Sequence, residues 1–346
     1  MKAQRMLKTS IFLAGVLLLS SCGKQTTRID PARLKGFAPL PETPVASGDE
    51  ARSARIALGR MLFYDARLSR SQTISCNTCH ELSKFGVDGQ STSAGYRGQH
   101  GTRNSPTVFH ASMHFVQFWD GRAPDVEAQA GGPLLNPVEM AMPSEKAVVA
   151  VLKSMPEYAV AFRRAYPGES NPVTFSHAAE AIGLFERGLL TPARWDKFLK
   201  GDETTLTSEE KAGFNQFTAS GCDGCHSGTL VGGSTFRKLG VAKEYPDTSD
   251  SGRYGVTGKE NDRMLFKVPS LRNVAMTGPF FHSGKVSTLE DAVKQMGEYQ
   301  TGKPLTEGET TAIVTWLKSL TGEIDESYIR KPELPKSTAR TPRAGA

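Results

Sequence analysis

The sequence predicts a mainly α fold built as two domains, with long loops between the helices. Three observations carry that reading. Apolar residues recur at helical spacing in several stretches, whereas alternating strand patterns are scarce. A chain of 346 residues is long enough for two separate cores. A five-residue motif also occurs twice, as "CNTCH" at Cys76–His80 and "CDGCH" at Cys222–His226, with copies 146 positions apart (222 − 76). One copy falls to each domain.

Taken in order, the chain begins with a targeting segment. Lys2, Arg5 and Lys8 precede the apolar run Ile11–Leu19, which is too short to span a bilayer as a stable helix. "LSSC", Leu19–Cys22, resembles a bacterial lipobox, so residues 1–21 read as a lipoprotein signal peptide with the lipid on Cys22. Gly23 after the cysteine points to the outer membrane of a Gram-negative cell, and the lipid is the expected membrane contact. Residues 22–46 are polar and Pro-rich and are expected to form a flexible tether.

The first domain is expected over residues 47–192, with helices in "DEARSARIALGRMLF" (Asp49–Phe63) and "EKAVVAVLKSM" (Glu145–Met155). The second is expected over 193–328. It opens near Thr207, which forms a capping box with Glu210 ahead of the second motif. Helical spacing returns in "TLEDAVKQMGEYQ" and "EGETTAIVTWLKSL". Residues 329–346 read as a flexible tail. The formal charge of +6 gathers at the two ends, so no folded basic face for nucleic acid is expected.

Cys-x-x-Cys-His is the attachment pattern of c-type haem. Two thiols on one helical turn add to the two vinyl groups, and the adjacent imidazole lies under the iron as proximal ligand. Cys76 and Cys79 with His80, and Cys222 and Cys225 with His226, therefore predict two covalent haems. A zinc site of four thiolates leaves the two histidines unexplained. A dithiol redox pair needs a βαβ context that is missing here.

The sixth iron positions decide what such a protein does. A methionine closes the iron and suits electron transfer. Met264, Met276 and Met296 all follow the second motif, and Met296 is favoured for its late place on an amphipathic helix, although core packing accounts for most methionines. After the first motif, Tyr96, His100, His110 and His114 lie in loops, where a histidine is usually solvated or locally bonded. Trp119 reads as packing or as an electron conduit.

The chain closely resembles the bacterial di-haem cytochrome c peroxidases, a superfamily shared with methylamine-utilisation di-haem oxidases. The resemblance runs over nearly the whole mature chain, through "LGRMLFYDARLSRSQTISCNTCH", "RNSPTV", "QFWDGRAPDVEAQAGGPLLNPVEM", "GCDGCHSGTLVGG" and "VPSLRNVAMTGPFFHSGKVSTLEDAVKQM". It implies two cytochrome-c-like domains, each binding one haem. The first, on His80, is then peroxidatic, and the second, on His226 and Met296, receives electrons. Trp119 falls at the family's tryptophan between the haems. Gln129 and Glu139 fall at its distal glutamine and glutamate. Asn104, with the carbonyls of Thr277 and Pro279, matches a calcium site of oxygen ligands. The implied reaction reduces hydrogen peroxide to water, with electrons from a small c-type cytochrome or blue-copper protein in the periplasm. A homodimer is also implied.

One position departs from the family pattern. Many relatives carry a histidine, aligned with Tyr96, that closes the oxidised peroxidatic haem. Tyrosinate ligation, substitution by His100, or an iron left open are the three outcomes, and the third is the expectation here. Two other functions compete. A partner-modifying di-haem oxidase places tyrosine where Met296 stands. A non-catalytic carrier has no use for Glu139 and Gln129.

Overall fold

The computed structural model describes residues 27–42 and 48–345; the signal segment and Cys22 lie outside them. The first long helix, α1, spans Glu50–Tyr64 and is capped by the Asp49 side chain, which accepts from the Arg52 N–H. Such a cap satisfies a backbone donor that the helix cannot use. Helices α2 (Val126–Leu135), α3 (Glu145–Lys153), α4 (Pro156–Ala165) and α5 (Phe175–Glu186) follow. Helix α5 is buried around most of its circumference, because α1 and α2 both pack on it. Leu58, Leu62, Phe63, Phe162, Ile182 and Phe185 form the centre of this first core.

The second core is built from α6 (Arg194–Leu199), α7 (Ser208–Ala219), α8 (Leu289–Gln295) and α9 (Glu307–Lys318). The expected capping box is present: Thr207 Oγ1 accepts from Glu210 N–H while the Glu210 carboxylate accepts from Thr207 N–H. Trp195, Phe214, Phe217 and Trp316 meet at edge-on and tilted angles in its middle, an arrangement aromatic quadrupoles favour.

Both cores cross their helices at a glycine. A Cβ on Gly59 of α1 would lie 1.8 Å from the Ala181 carbonyl of α5, and one on Gly213 of α7 would lie 2.1 Å from the Ala312 carbonyl of α9. The only paired strands among the described residues, apart from isolated bridges, are β1 (Phe236–Lys238) and β2 (Leu265–Lys267). They run antiparallel with Arg237 opposite Phe266. The molecule is mainly helical, as the spacing predicts.

Two segments expected to be flexible are docked instead. In the tether, Ile29 is buried, the Phe37 ring packs edge-on against Trp195 and Phe214, and Leu40 donates its N–H to Asp196. Its polar composition hid three spaced apolar residues, Ile29, Leu34 and Phe37, that belong to the second core, and a fourth, Leu40, that follows them in sequence and is buried. The tail lies along the first core. Ile329 is buried there, Arg67 and Gln72 each donate to tail carbonyls at 2.7 Å, and Gly345 N–H donates to Arg70 O. Each core thus includes a piece from the far end of the chain.

The seam between the cores is polar and buried. Arg272, 1 % exposed, donates two hydrogen bonds of 2.8 Å to Asp196. Nearby, Thr191 N–H donates to His110 Nε2 and Asn273 Nδ2 donates to the Thr191 hydroxyl.

Candidate active site

The first motif starts a single helical turn, Cys76–Cys79, held by a hydrogen bond between Ser75 N–H and the Thr78 hydroxyl. Both thiols are free and sit on that turn. His80 follows directly, and its Nδ1 faces the Gly86 carbonyl at 3.4 Å. That carbonyl accepts a hydrogen bond from Nδ1–H and leaves Nε2 with its lone pair, the usual way a ligating imidazole is oriented. Burial pulls the His80 pKa down, so the ring is neutral. The second motif forms a 3-10 turn, Cys222–Gly224, followed by His226, whose pKa is pulled down to about 4, chiefly by burial.

These features fit c-type haem and fit its rivals poorly. Burial drives the Cys76 thiol pKa far up and the Cys222 thiol up to about 12, the opposite of a redox-active dithiol. The two cysteine pairs also do not converge. Among the described residues no group of three or more Cys, His, Asp or Glu side chains is placed to hold a metal ion, which removes the zinc reading.

A single cavity opens over the first motif. Its walls include Cys76, Cys79 and His80 together with Trp119, Gln129 and Glu139, so it gathers residues more than sixty positions apart in sequence (139 − 76 = 63). Gln129 projects from α2, which the Asp125 side chain caps. Glu139 lies in the turn that follows. There Asn136 Nδ2 donates to Glu139 Oε1 at 2.8 Å, and Asn136 Oδ1 accepts from Val138 N–H. Burial raises the Glu139 pKa against the opposing pull of the Arg122 charge and the Asn136 hydrogen bond. A carboxyl so placed can both accept and return a proton.

The loop bearing Tyr96 is fastened to the same turn. Tyr96 N–H donates to the carbonyls of Glu139 and Val138 at 2.8 and 3.0 Å. A Cβ on Gly95 would lie 1.9 Å from the Val138 carbonyl, so only glycine permits this approach. The Tyr96 ring lies against the guanidinium groups of Arg97 and Arg70, at 5.1 and 5.8 Å. His100 is exposed and bonds through Nδ1 to the carbonyl and hydroxyl of Thr92. The cavity wall takes Ser93, Gly95, Gly101 and Arg103 to Pro106 from this loop and neither of those two side chains.

The remaining candidates part company. His110 is buried in the seam against Thr191, and His114 meets Lys267. Met276 is 49 % exposed, whereas Met264 and Met296 share a small cluster with Phe266 and Trp119. Met296 begins a π-helical turn, Met296–Thr301, a form that often marks functional sites. Trp119 therefore belongs to both regions, lining the first cavity and packing against the same small cluster as Met296. Its Nε1–H donates to the Asn104 carbonyl at 3.0 Å, while Asn104 Nδ2 donates to Gln90 O.

Four charged side chains of the cavity carry no mark in the sequence. Arg103 pairs with Asp120 and Asp250. Arg122 faces Glu139. Glu186, at the end of α5 and 3 % exposed, is pushed up to about 8 by burial and then by Glu127. Lys267 enters from β2. A glutamate three residues beyond an asparagine was the one available hint to Asn136; nothing in the local sequence marks Glu186 or Lys267.

A two-motif, two-core helical chain with an acid-lined cavity over the first motif has the features of a di-haem redox enzyme. Residues 53–204 match the family model described as di-haem cytochrome c peroxidase, and relatives align along most of the chain, so the chain belongs to that family. It is an enzyme of that class, a cytochrome c peroxidase. It is 45 % identical over 306 residues to the cytochrome c551 peroxidase of Nitrosomonas europaea, covering 88 % of this chain and 90 % of the relative. The methylamine utilization protein MauG of Methylorubrum extorquens is 34 % identical over 319 residues, 88 % of this chain and 89 % of that one. A solved MauG-like protein associated with microbial copper homeostasis superposes with a TM-score of 0.71 at 28 % identity, over 85 % of this chain and 95 % of that one.

Proposed function

We propose that the enzyme reduces hydrogen peroxide to water at the cavity over His80, using electrons received at the haem of the second core. The observation that carries this reading is the convergence of Glu139 and Gln129 on the cavity that holds the first attachment turn. Cys76, Cys79 and His80 would hold the haem, which would supply the redox iron for peroxide reduction. Gln129 orients peroxide by hydrogen bonding. Glu139 takes the proton of the near oxygen and returns it to the far one, which leaves as water. Two further electrons and two protons complete the balance, H2O2 + 2e⁻ + 2H⁺ → 2 H2O.

Met296 would help hold the second haem and favour electron transfer there, and Trp119 would lie on the route between the two. Their shared packing cluster and the place of Trp119 in the first cavity wall support both roles. The donor is a small periplasmic c-type cytochrome or blue-copper protein. Residues Asn104, Thr277 and Pro279 hold a calcium ion between the cores. In support, Asn104 is buried, with its amide held by Gln90 O and its backbone carbonyl by Trp119 Nε1–H. The enzyme works as a periplasmic homodimer, anchored through a lipid on Cys22. Met296 sets it apart from the partner-modifying oxidases.

The first haem is open in the oxidised enzyme. Support comes from the Tyr96 ring, which lies with Arg70 and Arg97, and from His100, which is taken up by Thr92. One experiment tests both halves. The as-isolated oxidised protein is expected to show a high-spin haem in its electron paramagnetic resonance spectrum and to oxidise reduced cytochrome c on addition of peroxide. Only low-spin signals, with no turnover before reduction, overturn the open site. Glu139→Gln is expected to lower turnover about 10²–10⁴-fold with haem content unchanged; retained turnover overturns the catalytic assignment.

A further inference from the structure

We propose that Lys267 and His114 anchor a propionate of the first haem at the seam between the cores. The proposal rests on the two-haem reading of the chain. Three cationic side chains line the first cavity: Arg103, Arg122 and Lys267. Arg103 is bound to Asp120 and Asp250, and Arg122 to Asp120. Lys267 is 5 % exposed and has no carboxylate within ion-pair distance among the described residues. An ammonium taken out of water is unfavourable unless an anion reaches it.

Its one side-chain partner sharpens the point. Lys267 Nζ donates to His114 Nδ1 at 2.6 Å. An imidazole that accepts at Nδ1 carries its proton on Nε2, and the His114 Nε2 is buried with no hydrogen-bond partner. An unpaired cation and an orphaned donor thus stand side by side in the wall of one cavity. Buried polar groups in folded proteins are nearly always satisfied. The group this cavity is built to receive brings two carboxylates of its own.

The position is also consequential. Lys267 N–H donates to the Trp119 carbonyl at 2.8 Å, so the anchor and the tryptophan share one backbone joint. Burial pulls the Lys267 ammonium down to about 7, and a carboxylate against it restores the charged form. The pair acts through the haem, as positioning residues that set its potential.

The test uses the full-length, haem-loaded protein and reads the midpoint potential of each haem by spectroelectrochemical titration. A cation beside a haem favours the reduced iron. Lys267→Gln is therefore expected to shift the first haem's equilibrium about tenfold towards ferric, or 59 mV for a one-electron couple. Lys267→Arg keeps the charge and is expected to stay within about twofold, as is the second haem in both variants. No shift, an equal shift in both haems, or a shift confined to the second haem overturns the proposal. So does a wild-type potential that varies with added acetate, since the carboxylate would then come from solution. If Lys267→Gln does not load haem, His114→Gln carries the test: a lower first-haem potential supports the anchor and an unchanged one overturns it. Absence of a haem spectrum in the wild type would instead remove the two-haem reading itself.

Discussion

Glu139 owes its position to Asn136. The asparagine ends α2, accepts from Val138 N–H and donates to the Glu139 carboxylate, so one side chain builds the turn and tunes its acid. That hydrogen bond favours the charged form and opposes the burial that raises the Glu139 pKa. Peroxide turnover needs the ionised carboxylate and falls as pH drops through that raised value, above the ordinary glutamate value of about 4.3. Asn136→Ala removes the opposing bond, so the acid limb of kcat/KM is expected to move to higher pH, with the high-pH plateau losing less than in Glu139→Gln. A pH–rate profile of both proteins checks it; an unmoved limb would separate Glu139 from the proton transfer. Glu139 was legible because it sits in the long block "QFWDGRAPDVEAQAGGPLLNPVEM". The service of Asn136 was not, since a contact over three residues in an irregular turn leaves no periodic trace. The three histidines of the following loops were equally alike on paper. Only folding assigns His100 to Thr92, His110 to Thr191 and His114 to Lys267.

At the scale of elements, the spacing of apolar residues placed α1, α3 and α9 within a residue or two of their observed ends, whereas α2, α4 and the central α5 were not read from it. It could not report how closely they approach. Glycine inside a helix reads locally as a penalty of about 1 kcal/mol relative to alanine, so an exchange at Gly59 ought to help α1. Contact with α5 reverses the sign, because the added Cβ would lie 1.8 Å from the Ala181 carbonyl. Gly59→Ala is expected to cost about 1–3 kcal/mol net through forced separation of the helices, read as a lower thermal midpoint of the haem-loaded protein. A rise in the midpoint would show that the crossing relaxes freely. The stretch around Met296 shows a second limit. "TLEDAVKQMGEYQ" predicts one amphipathic helix, yet α8 stops at Gln295 and the backbone widens into a π turn from Met296. A 3.6-residue pattern carries no signal for that change of pitch.

For the whole molecule, the two ends of the chain are exchanged between the cores, and Asp196 is where much of that exchange is tied. Its carboxylate accepts from Leu40 N–H of the N-terminal segment, from Ala193 N–H at the start of α6, and twice from Arg272 beside the seam. No sequence window contains more than two of these partners, which is why a segment polar in composition read as a tether. Asp196→Asn keeps the shape and removes the charge, leaving a fully buried guanidinium unpaired. Losing one member of such a pair costs about 3–5 kcal/mol. Burial by itself raises the Asp196 pKa, but the hydrogen bonds and charge of Arg272, helped by the two backbone donors, outweigh it and hold the value below the usual range. A depressed folded-state pKa gives stability that is present above the unfolded value of about 3.9 and lost as pH falls through the folded one. The Asp196→Asn variant is therefore expected to be least stable relative to wild type at neutral pH, the gap closing in acid as the wild-type carboxylate protonates. Denaturant midpoints at pH 7 and pH 3 measure it. The N-terminal segment should also become the first part cut by a protease at neutral pH, because Leu40 loses a charged acceptor. A constant gap between the two pH values would mean that shape, and not the ion pair, ties the ends together.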